Sequence, residues 1–531
     1  MRKGPIIVAL VALLAIIAGS LYGQAVTLPY KGAEKTITLF NAGADVETLL
    51  KKLVNQEILK KLGNVKLNIT VVPIQDYDQR LALMYASGDL FDINGVRHPQ
   101  MQSLQYGATG VFLDYEKYKS VMPNFQAEVR KKSWFNYMLN PDGTRYGLPG
   151  QNYDKDYLME AWACNKTILD KHGVKVPETS DELMAAMKKL KAANPAIYPW
   201  IYVWEMTPQV DVFYSMFGKY DPSGMIYDET LKEWYYGPID PRSPLKATLK
   251  YMNEMYKSNL FDPEQETHNV EQYLATAQKG LWGFTFMYVN MTRPGQMRKN
   301  VADYVIAPMF VPRGPSGAAY PVVTIGYDQM NYWGIMSNSK TKNPELVCAI
   351  LDWMFSPEAT QLINWGVEGV TFKKNADGTK SFLPDIVTGE TPNGTKKPAD
   401  FALQNPIIPY AFISDVYSAS LVSNNADSFA IVKKVVDGLV SGRHTGPTFL
   451  ASIKPLLTTE EGDKEASIIN PIRTYVRENM LKFIKGERSF DTWDQYVADV
   501  KKLGDIDWVI KLYNSKKTIQ RAPRDYSNYW K

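Results

Sequence analysis

The sequence predicts an α/β protein of two lobes, and three observations carry that expectation. Between Thr36 and Val96 the apolar pattern alternates strand, helix, strand, helix, strand, the mark of a parallel sheet covered by helices. A second alternation of the same kind starts near Leu158. At 531 residues the chain exceeds what one hydrophobic core supports, yet it shows neither an internal repeat nor a low-complexity linker. Two lobes woven from discontinuous segments fit that absence better than domains strung in series.

The elements follow in order. Thr36 to Phe40 (TITLF) reads as a strand, and Asp45 is a good N-cap for the helix behind it. That helix gathers Leu49, Leu50, Leu53, Val54 and Leu62 on one face and stops at Gly63. Val65 to Pro73 is a second strand. A helix from about Asp76 to Ser87 carries Tyr77, Leu81, Met84 and Tyr85 at helical spacing, and Gly88 closes it in the left-handed conformation. Phe91 to Val96 is the third strand. Open sheets of this kind bind ligands beyond the carboxyl ends of their strands, which points to Asn41, Arg97 and His98. Asp92 reads as a turn closer. Asn140 to Thr144 is a turn, continued by Tyr146 to Leu148 as a hairpin arm.

In the second half of the pattern, Glu160 to Cys164 reads as a strand. Thr179 and Glu182 form a capping box before a helix with Leu183, Met187 and Leu190 on one face, and Asn194-Pro195 stops it. Gly280 to Tyr288, Asp303 to Met309 and Asn331 to Met336 read as strands. Asn343-Pro344 and Ser356-Pro357 each start a helix with Pro at the first helical position. From about Asn470 the chain reads as mostly helical.

Residues 1–25 read as a secretion signal. Arg2 and Lys3 open it, Pro5 to Gly19 is apolar, and Gly23-Gln24-Ala25 offers a cleavage site. The other reading is a retained anchor, but the apolar run is short of the ~20 residues a spanning helix needs. No cysteine near the cleavage site could carry a lipid. A periplasmic or extracellular, soluble, monomeric protein is expected. The net charge of +4 is spread along the chain, so neither nucleic acid nor an anionic membrane is implied as a partner. Cys164 and Cys348 read as two buried free thiols, with a disulfide as the alternative.

The sequence holds no G-x-S-x-G, H-E-x-x-H, P-loop or C-x-x-C string. Its four histidines, His98, His172, His268 and His444, share no metal spacing. No cofactor and no metal are expected. A glycoside hydrolase needs only two carboxylates and aromatic subsites, so it stays open as the enzymatic alternative. An adhesive surface protein would show repeats or a wall anchor, and neither occurs.

Six segments, in order, resemble the extracellular solute-binding proteins of ABC importers. Met84 to Ile93 (MYASGDLFDI) is similar to that family's "MMASGDLPD" turn, and Asp142 to Pro149 (DGTRYGLP) to its "DGKIYGLP" hairpin. Trp162 to Gly173 with Pro177 to Leu190 resembles "YIRKDWLDKLGLKPPKTLDELYEVLKAF". Trp333 to Pro344, Asn364 to Phe372 and Trp493 to Gly504 resemble "WAITKNCKNP", "YGIEGVHY" and "WDKYVKQLKKLG". The likeness is to the large branch that includes alginate oligosaccharide-binding proteins. It implies a type II-like periplasmic-binding-protein fold, one lobe from 26–155 and 286–353 and the other from 156–285 and 354–531, joined by about three crossings. It implies binding of an oligosaccharide between the lobes, without catalysis, and delivery to the transmembrane subunits of an ABC permease; a peptide or another small solute is the alternative ligand. Some relatives carry a calcium loop after the Leu183-type helix. Here that stretch, Ala192 to Pro199, lacks the oxygen side chains such a loop needs.

A sugar presents apolar faces and a hydroxyl rim, so its site wants flat rings with a polar handle. The chain has 33 Tyr and 12 Trp. Trp200 and Trp204 in PWIYVW, Trp282 and Tyr288 in GLWGFTFMY, Trp333 and Tyr410 are the candidates. The resemblance favours Tyr288 and Tyr410, which fall where alginate binders place stacking aromatics. Arg97 and His98 could bond hydroxyls or a carboxylate. The plainer reading makes these aromatics core residues and leaves Arg97 and His98 solvated or paired with a local acid.

Overall fold

The computed structural model describes residues 26–42, 49–131, 138–140, 142–152, 160–202, 206, 209–218, 224–264, 270–288, 301, 303–320, 333–376, 378, 380–383, 413–414, 426–445, 452–453, 455, 457–517, 519–520 and 527. In chain order the strands used below are β1 (Tyr30–Ala42), β2 (Gly63–Val72), β3 (Ile93–Arg97), β4 (Gly147–Pro149), β5 (Gln151–Asn152), β6 (Glu160–Asn165), β7 (Tyr198–Ile201), β8 (Met225–Asp228), β9 (Glu233–Tyr236), β10 (Trp282–Tyr288), β11 (Ile306–Pro308), β12 (Trp333–Ser337), β13 (Phe372–Lys374), β14 (Lys380–Phe382) and β15 (Ile413–Ser414).

The chain divides into two compact units, Met1–Asn152 with Met330–Ser414, and Tyr153–Gln329 with Asp415–Lys531. These bounds differ from the expected lobes. β10 and β11 both pair with β6, so the residues just after 285 stay in the second unit. The helices Pro344–Met354 and Pro357–Asn364, and β13, bury Val347, Ile350, Ile363 and Phe372 in the first unit's core, so that unit continues beyond residue 353.

Unit 1 holds a five-stranded sheet in the order β2-β1-β3-β12-β4. β1 pairs in parallel with β2 and β3, while β12 runs antiparallel to β3 and β4. The helix Leu49–Leu62 buries Val54, Ile58 and Leu62 in the same core cluster as Ile37 and Leu39 of β1. The helix Ile74–Ser87 ends at Gly88 (φ 71°), whose backbone N–H donates to the Met84 carbonyl, the left-handed stop read from the sequence. Tyr146 to Leu148 reads as a hairpin arm, and the Asn140–Thr144 turn does close through Asn140 N–H to the Thr144 carbonyl (2.8 Å). β4, however, takes β12 as its partner, a pairing no local pattern announces.

The MYASGDLFDI segment owes its shape to Asp92. Its carboxylate accepts from Thr38 N (2.8 Å), Thr38 Oγ1 (2.8 Å) and Thr341 Oγ1 (2.5 Å), tying β3 to β1 and to the turn after β12. Asp92 is a long-range stitch between strands and not the local turn closer read from the sequence. Replacing it with Ala strips acceptors from a half-buried network, and hydrogen bonds to a charged group contribute ~1.5–3 kcal/mol each. We expect Asp92→Ala to cost unit 1 about 3 kcal/mol, read as an earlier unfolding transition in denaturant, with Asp92→Asn in between.

Unit 2 holds a four-stranded sheet, β11-β6-β10-β7. β10 is parallel to β7 and antiparallel to β6. Trp282, Phe284 and Phe286 alternate on one face of β10, and Gly283 and Thr285 on the other are buried too, so the strand is covered on both sides. Thr179 caps the helix Ser180–Ala193 by accepting from Glu182 N (3.2 Å). The return half of the expected box goes one residue further back, since Glu182 Oε2 accepts from Glu178 N (2.7 Å). Leu183, Met187 and Leu190 are buried as the spacing predicts. The C-terminal helical region begins earlier than Asn470: one helix runs Thr459–Lys485 straight through Pro471. A complete capping box at Thr458 and Glu461 starts it, and buried Ile469, Ile472 and Val476 hold it to the core, overriding the proline's local preference. Cys164 and Cys348 are free and buried, and burial pushes the Cys164 thiol up to about 12.

Candidate functional site

In unit 1 the parallel strands β1, β2 and β3 end together. Leu39 and Phe40 of β1 sit opposite Ile93 and Asn94 of β3, so Asn41 and Arg97 finish neighbouring strands at one sheet edge. β12 enters at that edge, with Trp333 opposite Arg97, and β4 leaves there, with Pro149 opposite Gly334. The edge continues into β5, which pairs with β15. Four of the sequence-derived residues, Asn41, Arg97, His98 and Trp333, therefore converge on the carboxyl edge of one sheet. Asn41 is 4% exposed. Arg97 Nη1 meets Asp78 Oδ2 at 3.0 Å, the local acid of the plainer reading. His98 has φ 51° and heads the helix Pro99–Tyr106, a backbone turn that carries the chain off the sheet edge.

Unit 2 repeats the arrangement. β7 and β10 run in parallel, and Tyr288 ends β10 opposite Glu160 at the start of β6. Tyr202, just past β7, packs its ring 6.4 Å from Phe286.

Two candidates are core residues instead. Trp200 is 0% exposed, donates Nε1–H to Gln209 Oε1 (2.8 Å), and packs 4.7 Å from Phe213 and 5.1 Å from Trp162. Trp282 is also 0% exposed, and as the first residue of β10 it stands at the opposite end of the strand from Tyr288. Both rings are enclosed by apolar layers, Trp200 on β7 and Trp282 on β10. Trp204 and Tyr410 lie outside the described residues.

A groove of about 440 Å³ lies between residues 173–178 and the helix Ser180–Ala193, and none of the nine candidates lines it. The sequence missed the part of the edge built by β5 and β15. Two-residue strands paired across some 260 positions leave no periodicity to read.

Residues 43–361 match the sequence profile described as "Bacterial extracellular solute-binding protein". The chain belongs to that family. This solute-binding protein is 23% identical over 520 residues (92% of its own chain, 90% of the relative) to the fructooligosaccharide ABC transporter substrate-binding protein FusA of Streptococcus pneumoniae. Over 60% of its length it is 22% identical to the polygalacturonan/rhamnogalacturonan-binding protein YtcQ of Bacillus subtilis, covering 64% of that chain. Among solved structures, the alginate-binding protein AlgQ2 without calcium ion aligns with a TM-score of 0.74 at 20% identity, over 93% of this chain and 99% of that one. FusA in complex with kestose aligns at 0.69 and 19% identity, over 91% and 99%. The fold is thus the two-lobed α/β fold of periplasmic binding proteins.

The turn after the helix Ser180–Ala193 does not suit a calcium ion. Lys191 Nζ donates to the carbonyls of Pro195 (2.8 Å) and Ile197 (3.2 Å) and lies 5.8 Å from the Tyr198 ring. A resident ammonium holds the carbonyls that a cation would need. Among the described residues no group of three or more His, Cys, Asp or Glu is placed to hold a metal. We expect EDTA and added calcium to leave the melting temperature unchanged. Lys191→Met should cost about 1 kcal/mol, and a calcium-induced rise in the wild type would contradict this reading.

Proposed function

We propose that this chain is the solute-binding component of an ABC importer, and that it captures an oligosaccharide noncovalently and delivers it unaltered to a membrane permease. The observation that carries the proposal is the convergence of parallel strand ends in each unit, with Asn41, Arg97, His98 and Trp333 on one edge and Tyr288 on the other. Ligand sites of open α/β sheets sit beyond such ends. Family membership and the sugars named for FusA, YtcQ and AlgQ2 support the same class of cargo. Tyr288, Trp333 and, outside the described residues, Trp204 and Tyr410 are the proposed ring platforms. Asn41, Arg97 and His98 supply polar groups.

In this proposal residues 1–25 direct export and are removed, and the mature protein works as a periplasmic or extracellular monomer with no nucleic-acid partner and no enzymatic step. No helix among the described residues is long and apolar enough to cross a membrane.

A thermal-melt panel of neutral and acidic oligosaccharides tests it. A ligand at 100 times its Kd adds about 2.7 kcal/mol to stability. We expect at least one sugar to raise the melting temperature, and Tyr288→Ala or Trp333→Ala to weaken that sugar's binding without lowering the unliganded melt. A flat response across the panel would contradict the carbohydrate assignment.

A further inference from the structure

We propose that Arg313, Arg443 and Lys434 form an oxyanion site on unit 2 that takes the carboxylate of an acidic sugar residue, an assignment that rests on the oligosaccharide reading above. Arg313 follows β11, Lys434 lies on the helix Ala426–Val440, and Arg443 follows that helix. The three are brought together by a shared backbone oxygen and a shared ring. The Glu178 carbonyl accepts from Arg313 N (2.8 Å) and from Arg443 Nη2 (2.9 Å). Phe310 carries Lys434 Nζ at 3.8 Å and the Arg443 guanidinium at 5.3 Å from its centroid.

No ion pair among the described residues neutralises the cluster. Among the described residues no carboxylate lies within ion-pair distance of Arg313, Arg443 or Lys434, although Lys433 next door is paired with Asp437 (2.7 Å). Glu178 is the nearest acid in charge terms and is exposed. Arg313 Nε and Arg443 Nη1 are enclosed yet make no hydrogen bond to protein, while the Arg313 Nη groups remain open. Burial, with Arg313 as a like-charged neighbour, lowers the Arg443 guanidinium from its ordinary range. His444 adds no charge: burial and then Arg443 hold it at about 4, and its Nε2 accepts from Val311 N (3.2 Å). Like charges held together and half out of water cost stability unless an anion joins them. Two guanidiniums present planar donor forks, which match a carboxylate in two-toothed fashion.

The probes are trigalacturonate, sulfate and neutral kestose at constant ionic strength, read as melting shifts and titration calorimetry on the full chain. Wild type should be stabilised by trigalacturonate. Arg313→Gln and Arg443→Gln should each weaken that binding about 10-fold or more, while Arg443→Lys, which keeps the charge, recovers part. Equal affinity in both Gln variants, provided they melt like wild type, would overturn the site. Sulfate stabilising as strongly as trigalacturonate, with both effects lost in Arg443→Gln, would overturn the sugar-acid assignment and leave a free-oxyanion site. Kestose binding that the variants do not alter, with no response to trigalacturonate or sulfate, would overturn this proposal and leave the oligosaccharide reading standing. Sulfate binding lost in Arg443→Gln with no response to any sugar would instead count against that reading.

Discussion

Trp200→Ala should destabilise unit 2 by about 4 kcal/mol and leave the affinity of the folded protein for its sugar unchanged. Large-to-small changes at buried Trp cost ~3–5 kcal/mol, because the lost transfer energy is joined by an unfilled cavity. Trp200 is 0% exposed between Phe213 and Trp162, so the hole has rigid aromatic walls. The change also strands Gln209, itself 0% exposed, whose Oε1 accepts the indole N–H. Denaturant unfolding followed by indole fluorescence reads the first effect and calorimetry at a temperature below the transition reads the second. Weakened sugar binding with an unchanged melt would return Trp200 to the binding surface.

Arg145→Met should be nearly as costly to unit 1, by about 3 kcal/mol. Arg145 lies in the DGTRYGLP segment and is 2% exposed. Its Nε donates to Glu116 Oε1 at 2.7 Å, and its guanidinium lies 5.3 Å from the Phe125 centroid. The backbone is engaged as well, since Arg145 N donates to Asp114 Oδ1 and the Arg145 carbonyl accepts from Tyr115 N (2.9 Å). Removing one partner of a buried ion pair typically costs 3–5 kcal/mol, because the other charge is left uncompensated. Glu116 keeps 25% of its side chain in water, which trims the effect toward the lower bound. The double variant Arg145→Met, Glu116→Gln removes the stranded charge and should be more stable than Arg145→Met alone. Equal or additive losses would place the stabilisation in packing against Phe125, not in the pair.

Much of the fold was legible because its elements carry local signals. The Gly88 stop, the Thr179 cap, the Ser356 cap accepting from Ala359 N and the buried stripe Leu183, Met187, Leu190 all follow from neighbours within four residues. What escaped depends on partners far away. β12 inserts between β3 and β4, and β15 joins β5, across separations no periodicity spans. The lobe bounds slipped for the same reason, since β10 and β11 belong with β6 by pairing and not by position.

The candidate site was legible where topology alone decides it. The rule of strand ends led to Asn41, Arg97 and His98, which the fold places at the carboxyl edge of one sheet. Aromatic content misled at Trp200 and Trp282, because a strand covered on both faces and a strand lining a ligand share the same alternation of rings. The basic cluster of Arg313, Lys434 and Arg443 gave no signal at all. Its members are about 130 residues apart at the extremes and meet only through the Glu178 carbonyl and the Phe310 ring.

The most direct test of the account is the fate of a sugar held by the purified protein. An oligosaccharide that stabilises the chain should be incubated with it to equilibrium, separated, and weighed by mass spectrometry. The account predicts one sugar per chain, recovered at its original mass and linkage however long the incubation. Shortened or otherwise altered sugar, accumulating with time and with protein concentration, would contradict it.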